Sequence, residues 1–326
     1  MDAVLVTGAN GMVGSCVREY LESKKLAPHE RKWVFISADD ADLRNWEAVN
    51  KVFNLHRPTH VLHCAARLSS ASDMTAHPVE FWMDNVQINN NVLRAAHTCN
   101  ARVVSILSTV MLSKDATFPV QGTPEDIFGG QLHAISHAYG FAKRALAHLS
   151  QWYREQYACK FSCILPSNIF GPHGAFDSKN APLLNALIAK AVAARESGQN
   201  IVVMGTGAPL RQMLYARDLA RILVWALDNY DDALPLFVAG EEEVSVRDLA
   251  EMACQATGVD ASCLRYDVTI PDGPLRRTAD TSRFRQLLPE FAATPLQEAI
   301  AETVNWYAGQ HHAMSHRDIF SVADKS

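Results

Sequence analysis

The run Thr7-Gly8-Ala9-Asn10-Gly11-Met12-Val13-Gly14 constrains this chain more than any other stretch of it. It follows directly on an apolar segment, Asp2 to Thr7, and opens a segment of helical periodicity from Val13 to Lys25. Glycines at this spacing let a strand turn sharply into a helix and let the backbone come close to another group. The helix points unpaired N–H groups and the positive end of its dipole back at the turn, which favours an anion there. A strand, a GxxGxxG turn and a helix in that order read as the pyrophosphate cradle of a dinucleotide. A turn that is glycine-rich for structural reasons alone is the competing reading, and the strand-to-helix context disfavours it.

Downstream, Trp33 to Ser37, His60 to Cys64, Arg102 to Leu107 and Phe161 to Leu165 are short apolar runs, and the stretches 79–99 and 139–157 have helical patterning. Continuous rather than alternating apolar strands imply a parallel sheet covered on both faces, hence a Rossmann-type doubly wound α/β fold. Beyond about residue 170 the segments shorten and are punctuated by Gly205-Thr206-Gly207 and Pro271-Asp272-Gly273. The expected division is a dinucleotide-binding part, 1–170, and a smaller part, 171–326, that is mainly a substrate lobe with some chain returning to the sheet.

Composition narrows the function classes. A net charge of −5 provides no general basic field for nucleic acid. Seven scattered cysteines without a CxxC pair indicate neither a zinc site nor a disulfide framework, so no metal is expected. No leader is evident and no apolar run approaches the roughly 20 residues of a membrane span. The expected compartment is therefore the cytoplasm. The His-rich end beyond Gln310 reads as a frayed terminus rather than a metal site.

A second constellation carries chemistry. Tyr139 and Lys143 form a YxxxK in the helical stretch, and Ser108 closes the run that starts at Arg102. Residues four apart share a helix face, and an ammonium beside a phenol lowers its pKa. Parallel sheets bind ligands off the carboxyl ends of their strands, where Ser108 would hold a reacting oxygen. A lone YxxxK is ordinarily an exposed pair; here the dinucleotide turn and the serine select hydride chemistry with Ser108, Tyr139 and Lys143 as its catalytic residues.

Together with Ile164-Leu165-Pro166-Ser167-Asn168-Ile169-Phe170-Gly171-Pro172-His173, these motifs resemble the extended short-chain dehydrogenases, and among them the GDP-L-fucose synthases. Those are NADPH-dependent GDP-4-keto-6-deoxymannose 3,5-epimerase/4-reductases. Pro58-Thr59-His60-Val61, Phe81-Trp82, Arg211-Gln212, Asp218-Leu219 and Thr294-Pro295 extend the resemblance over nearly the whole chain. The resemblance implies a Ser108, Tyr139, Lys143 triad, and a GDP site at Asn168, Lys190, Arg211 and Arg277 with Asp272 nearby. Three cations there suit a pyrophosphate. The residues expected around the dinucleotide are Gly8, Asn10, Gly11, Met12, Val13, Gly14, Asp39, Asp42, Leu43, Ala65, Ala66, Tyr139, Lys143, Pro166 and Ile169.

The departures matter as much. Val110 stands where the family has an acid/base cysteine, and Pro182 where it has the partner histidine. Asn10 and Asp39 stand where the family has cations for the NADP phosphate, and Met204 where a tryptophan is frequent. The resemblance implies NADP(H); Asp39 at the end of the second strand, with no cation beside it, favours NAD(H). The expected activity is NAD(P)H-dependent reduction at C4 of a GDP-4-keto-6-deoxy sugar, without 3,5-epimerisation. The alternatives are a full GDP-L-fucose synthase whose acid/base groups have moved to His133, His137, His173 or Cys163, a GDP-sugar C4 epimerase or dehydrogenase on tightly bound NAD, and a non-enzymatic dinucleotide sensor. The helices at 79–99 and 139–157 are expected to pair across a two-fold axis in a homodimer.

Overall fold

The computed structural model describes residues 2–24, 31–69, 71–134, 137–177 and 181–323, with side chains at 71 and 72 and beyond 310 excepted. The end of the first expected helix at Lys25 and the side chains of the His-rich tail therefore lie outside the described residues.

The N-terminal part alternates strand and helix: β1 (Asp2–Thr7), α1 (Met12–Ser23), β2 (Arg31–Ile36), α2 (Trp46–His56), β3 (His60–His63), α3 (Ala71–Ala76), α4 (Pro78–Thr98), β4 (Arg102–Ile106), α5 (Pro124–Phe128), α6 (His137–Tyr157) and β5 (Phe161–Pro166). There follow β6 (Asn168–Phe170), α7 (Leu183–Ser197), β7 (Ile201–Met204), β8 (Leu210–Tyr215), α8 (Ala216–Asn229), β9 (Leu236–Val238), β10 (Glu243–Ser245), α9 (Val246–Thr257), β11 (Leu264–Asp267), β12 (Arg276–Arg277), α10 (Ser282–Leu287) and α11 (Leu296–Ala323).

Six strands form one parallel sheet in the order β2-β1-β3-β4-β5-β9. Both faces of it are covered: Leu5, Val61, Val103 and Leu165 pack with α4 and α6, and Val4, Leu62, Val104 and Ile164 pack with α1 and α8. This is why the strands read as unbroken apolar runs. The sixth strand, β9, comes from beyond residue 230, so the chain returns to the sheet after building outside it. The outlying part is centred on β8, which pairs with β10, β12 and β6, and on the parallel pair β7 and β11. Its own core, around Leu184, Ile188, Leu249 and Ile300, seals α7, α9 and α11 together.

Local signals fix the helix ends near the cleft. Asn45 caps α2 by accepting from the backbone of Glu47 and Ala48, and the α4 helix starts on Pro78, whose missing N–H costs nothing at that position. Among the described residues no helix is long and apolar enough to cross a membrane.

Candidate active site

A cleft opens at the carboxyl ends of β1 to β5. It has two parts, a cavity of about 610 Å³ at the β1–β2 side and one of about 380 Å³ over β4 and β5. Gly8, Gly11, Cys64 and Ala66 line both, so the two are continuous.

The glycine turn fits a dinucleotide pyrophosphate. Gly8 has φ +71°, and a Cβ there would lie 2.8 Å from the Ala65 nitrogen. A Cβ at Gly14 would lie 2.4 Å from the Gly8 carbonyl oxygen, so α1 can approach β1 this closely only as glycine. Gly11 begins α1 with no side-chain cap, and the first turn carries no acidic residue, leaving its N–H groups open toward the cleft.

All the residues expected around the dinucleotide line one cavity or the other. Asn10, Asp39, Asp42, Leu43 and Ala65 line the first, and Met12, Val13, Gly14, Tyr139, Lys143, Pro166 and Ile169 the second. The two neighbouring aspartates after β2 have separate places. Asp40 is used up in the turn, accepting from the backbone and hydroxyl of Ser37, whereas Asp39 lines the cavity. The segment Ser37 to Asp40 itself offers no cation, but Arg44 and Arg67, the two arginines the sequence offered as alternative partners for a 2′-phosphate, also line this cavity.

Ser108, Tyr139 and Lys143 line the second cavity together. Ser108 begins a tight turn over Thr109–Met111, with extended backbone and a hydroxyl that caps nothing. The Lys143 ammonium donates to the Ile106 carbonyl oxygen at 2.7 Å and lies 5.7 Å from the Tyr139 ring centroid. Burial pushes its pKa down to about 8. The expectation that Lys143 lowers the Tyr139 pKa is not met in this arrangement. Burial raises the phenol, and the ammonium is turned to Ile106 instead.

Behind the triad runs a buried hydrogen-bond chain that sequence reasoning missed. The Ala65 N–H donates to Thr7 Oγ1, which lies 2.9 Å from His63 Nδ1; His63 Nε2 lies 3.0 Å from Asn89 Oδ1, and Asn89 Nδ2 donates to the Ala142 carbonyl. Since Asn89 presents its oxygen, His63 carries its proton on Nε2 and accepts from Thr7 on Nδ1. Burial, with the Lys143 charge adding to it, pushes the His63 pKa down to about 4, so the ring is neutral. The sequence signal was two histidines, His60 and His63, bracketing the apolar pair of a short strand.

The residues matched to a GDP site divide. Asn168 and Arg277 line the second cavity. Arg211 is the register partner of Arg277 on the adjacent strand, and its side chain donates to the Leu210 and Pro274 carbonyls. Burial lowers the Arg211 pKa to about 10, with the Arg277 charge adding to it, and burial lowers Arg277 as well. Lys190 donates to the Val202 carbonyl, and Asp272 accepts from the backbone and hydroxyl of Thr206. Among the described residues no carboxylate pairs with Arg277, and two neighbouring guanidiniums suit an anion.

Val110 and Pro182 both line the second cavity. Pro182 precedes the first turn of α7, and Val110 packs against Tyr139. None of the relocated acid/base candidates reaches this cavity lining. His173 is bound to Glu19 at 2.7 Å, Cys163 lies inside β5 against Ser150, and His137 holds the Ala134 carbonyl. Among the described residues no group of three His, Cys, Asp or Glu is placed to hold a metal.

A glycine cradle at the first strand end of a parallel doubly wound sheet, opening into a Ser-Tyr-Lys cleft, defines an extended short-chain dehydrogenase. A model of the NAD dependent epimerase/dehydratase family matches residues 4–240, and the chain belongs to that family. It is 36% identical to the GDP-L-fucose synthase of Dictyostelium discoideum, over 93% of this chain and 94% of that one. It is 32% identical to a probable GDP-L-fucose synthase of Drosophila melanogaster, over 94% and 97%. A solved GDP-L-fucose synthetase from Naegleria fowleri bound to NADP superposes with a TM-score of 0.88 at 33% identity, covering 95% of each chain. The chain is thus an NAD(P)-dependent oxidoreductase of the branch that the GDP-L-fucose synthases represent.

Proposed function

We propose that this enzyme reduces the C4 ketone of a GDP-4-keto-6-deoxy sugar and leaves C3 and C5 untouched. The observation that carries the reading is the lining of the second cavity. It holds Ser108, Tyr139, Lys143 and Arg277, and its described lining contains no histidine and no carboxylate. The GDP-L-fucose synthase relatives support a GDP-sugar substrate.

The bound dinucleotide supplies the hydride that reduces C4. Ser108 donates a hydrogen bond to the C4 oxygen and fixes its direction. Tyr139 gives its phenolic proton to that oxygen as it becomes an alkoxide, so ketone, hydride and proton balance to the alcohol. Lys143, a buried cation 5.7 Å from the Tyr139 ring centroid, would hold the ribose hydroxyls of the dinucleotide. Arg211 and Arg277 would clamp the diphosphate, with Asn168 in the same lining and Asp272 bracing the Thr206 turn; Lys190, donating to the Val202 carbonyl, would have to turn to join them. Gly8, Asn10, Gly11, Met12, Val13 and Gly14 cradle the dinucleotide pyrophosphate. Leu43, Ala65, Ala66, Pro166 and Ile169 wall in its two ends, and Asp39, with Asp42 beside it, faces the adenosine ribose.

Epimerisation beside a ketone needs one group to take a proton from carbon and another, on the opposite face, to return it. Val110 and Pro182 can do neither. Cys64 is the thiol in the lining, and burial pushes it up to about 12, where it is no base at neutral pH. Turnover in D₂O with GDP-4-keto-6-deoxymannose, followed by mass spectrometry and NMR of the product, tests this. The expected product carries no solvent deuterium at C3 or C5. Deuterium at both, with GDP-L-fucose formed, overturns the reading and returns the enzyme to full synthase activity. Non-exchanging NAD that survives purification would favour internal redox instead.

Of the two dinucleotides we infer NAD(H). The Asp39 carboxylate in the cavity wall suits a ribose 2′-hydroxyl and repels a 2′-phosphate. Wild-type protein should bind NAD⁺ more tightly than NADP⁺, and Asp39→Lys should reverse the order; a wild type that prefers NADP⁺ removes Asp39 from the ribose. All seven cysteines are free thiols, which supports a reducing, cytoplasmic setting.

A further inference from the structure

The adenosine cavity is lined by more charge than Asp39. Arg44 and Arg67 are both in its wall, and both are already engaged. Arg44 grips Asp42, with Nε 2.9 Å and 3.2 Å from the two carboxylate oxygens and Nη2 2.9 Å from the second. Its remaining Nη1 reaches Asp84 Oδ2 at 3.3 Å. Arg67 Nη1 meets that same oxygen at 2.7 Å, and its guanidinium lies over the Phe81 ring, 4.6 Å from the centroid. One carboxylate oxygen on α4 thus ties down two arginines from two different loops. The Asp84 side chain is 15% exposed, against 48% and 40% for Arg44 and Arg67. Asp84 is therefore the least exposed of the three. Across the lining, Asp39, Asp42 and Asp84 face Arg44 and Arg67, which leaves the wall net negative.

We propose that Asp84 is a specificity-determining residue for the dinucleotide: it holds Arg44 and Arg67 against the wall and so keeps the ribose end selective for a bare 2′-hydroxyl. The proposal rests on the reading that this cavity takes the adenosine end of the nicotinamide dinucleotide. A 2′-phosphate brings about −1.5 to −2 charges. It enters a wall that is already negative, and to recruit either arginine it must first break that arginine's ion pair with Asp84. A 2′-hydroxyl brings no charge and needs only an acceptor. Asp84→Asn keeps the shape of the side chain, removes the charge, and releases Arg67 from its ion pair. Arg44 stays held by Asp42, so Arg67, pre-oriented on Phe81, is the cation set free.

The test is the dissociation constant of NAD⁺ and of NADP⁺, each measured by isothermal titration calorimetry on the full chain. Asp84→Asn should shift the affinity ratio toward NADP⁺ by about tenfold, the worth of one partly exposed charge-assisted contact. NAD⁺ affinity should stay within about threefold, which also reports an intact fold. Adding Arg67→Met to Asp84→Asn should cancel the gain, and Arg67→Met alone should leave NADP⁺ binding unchanged. A ratio that does not move in Asp84→Asn, or a gain that survives loss of Arg67, overturns the proposal. So does a loss of NADP⁺ affinity in Arg67→Met alone, because Arg67 would then already serve the phosphate. The wild-type preference tests the Asp39 reading, whereas the change on removing the Asp84 charge tests this one, so each can fail without the other.

Discussion

Tyr139 is the residue on which the proposed reaction turns. Its phenol is buried, carries the transferable proton and sits four residues before a buried ammonium. Tyr139→Phe should lower kcat by about 10²–10⁴, the usual worth of a positioned acid, with dinucleotide affinity nearly unchanged by calorimetry. Lys143 shows the opposite side of the same design. Burial holds its pKa near 8, so at neutral pH the fold keeps a charge that it would hold more easily unfolded. The depression from the ordinary lysine value corresponds to about 3 kcal/mol at neutral pH. Lys143→Met should therefore raise the urea midpoint while abolishing turnover. In the wild type, the unfolded chain keeps this proton up to pH 10.5, while the folded chain releases it near 8. Between those values the unfolded state binds more protons, so this residue adds stability as pH rises through the window. The methionine variant should lack that slope.

At the scale of elements, His63 joins four of them: β1 through Thr7, β3 itself, α4 through Asn89 and, through the Ala142 carbonyl, α6. Each link has one direction, and the neutral Nε2–H ring completes it. His63→Leu leaves the Thr7 hydroxyl proton and the Asn89 amide oxygen buried without their His63 partner, while Thr7 Oγ1 still accepts from Ala65, a loss of about 2–4 kcal/mol. Adding Asn89→Leu should cost less than the two single changes summed, because the first has already broken the shared bond. Chemical denaturation of the four proteins measures this; strict additivity means that the chain does not act as a unit. The same ring sets an acid limit. Unfolded, His63 takes up a proton below its ordinary pKa of 6.5; folded, it resists until about 4. Between pH 6.5 and 4 the wild type should lose stability through this residue, and His63→Leu should lose less over that span.

At the scale of the whole molecule, two neighbouring helices expose apolar side chains among the described residues. Val79 and Met83 on α4, with Phe141 and Trp152 on α6, are exposed large side chains on two helices that pack side by side. On each helix the pair lies on one stripe: Val79 and Met83 are a turn apart, and Phe141 and Trp152 are three turns apart. Single exposed apolar side chains are ordinary, but a shared face of them marks a contact surface. We infer that a second copy covers it across a two-fold axis. Light scattering at micromolar protein should give the mass of a dimer, and Phe141→Glu with Trp152→Glu should give the mass of a monomer. A wild-type monomer at that concentration removes the inference.

Much of this was legible in the chain itself. The sheet, the glycine turn and the Ser108, Tyr139, Lys143 set are written as local patterns: continuous apolar runs, a fixed glycine spacing, and two residues four apart on a helix. Such patterns report backbone geometry within a few residues, so one sequence carries them whole. Arg44 and Arg67 could be named as cations for the ribose end, but their shared partner Asp84 could not, because two loops and a helix meet there only through the parallel crossovers. The direction of the Lys143 ammonium, toward Ile106 rather than Tyr139, was equally out of reach. It depends on a carbonyl 37 residues away in sequence and on how deeply the cleft is buried. Spacing along the chain therefore determined which groups this protein carries to its cleft. The tertiary structure decided which of them face each other, and with what charge, since ion pairs and burial act through space and not along the chain.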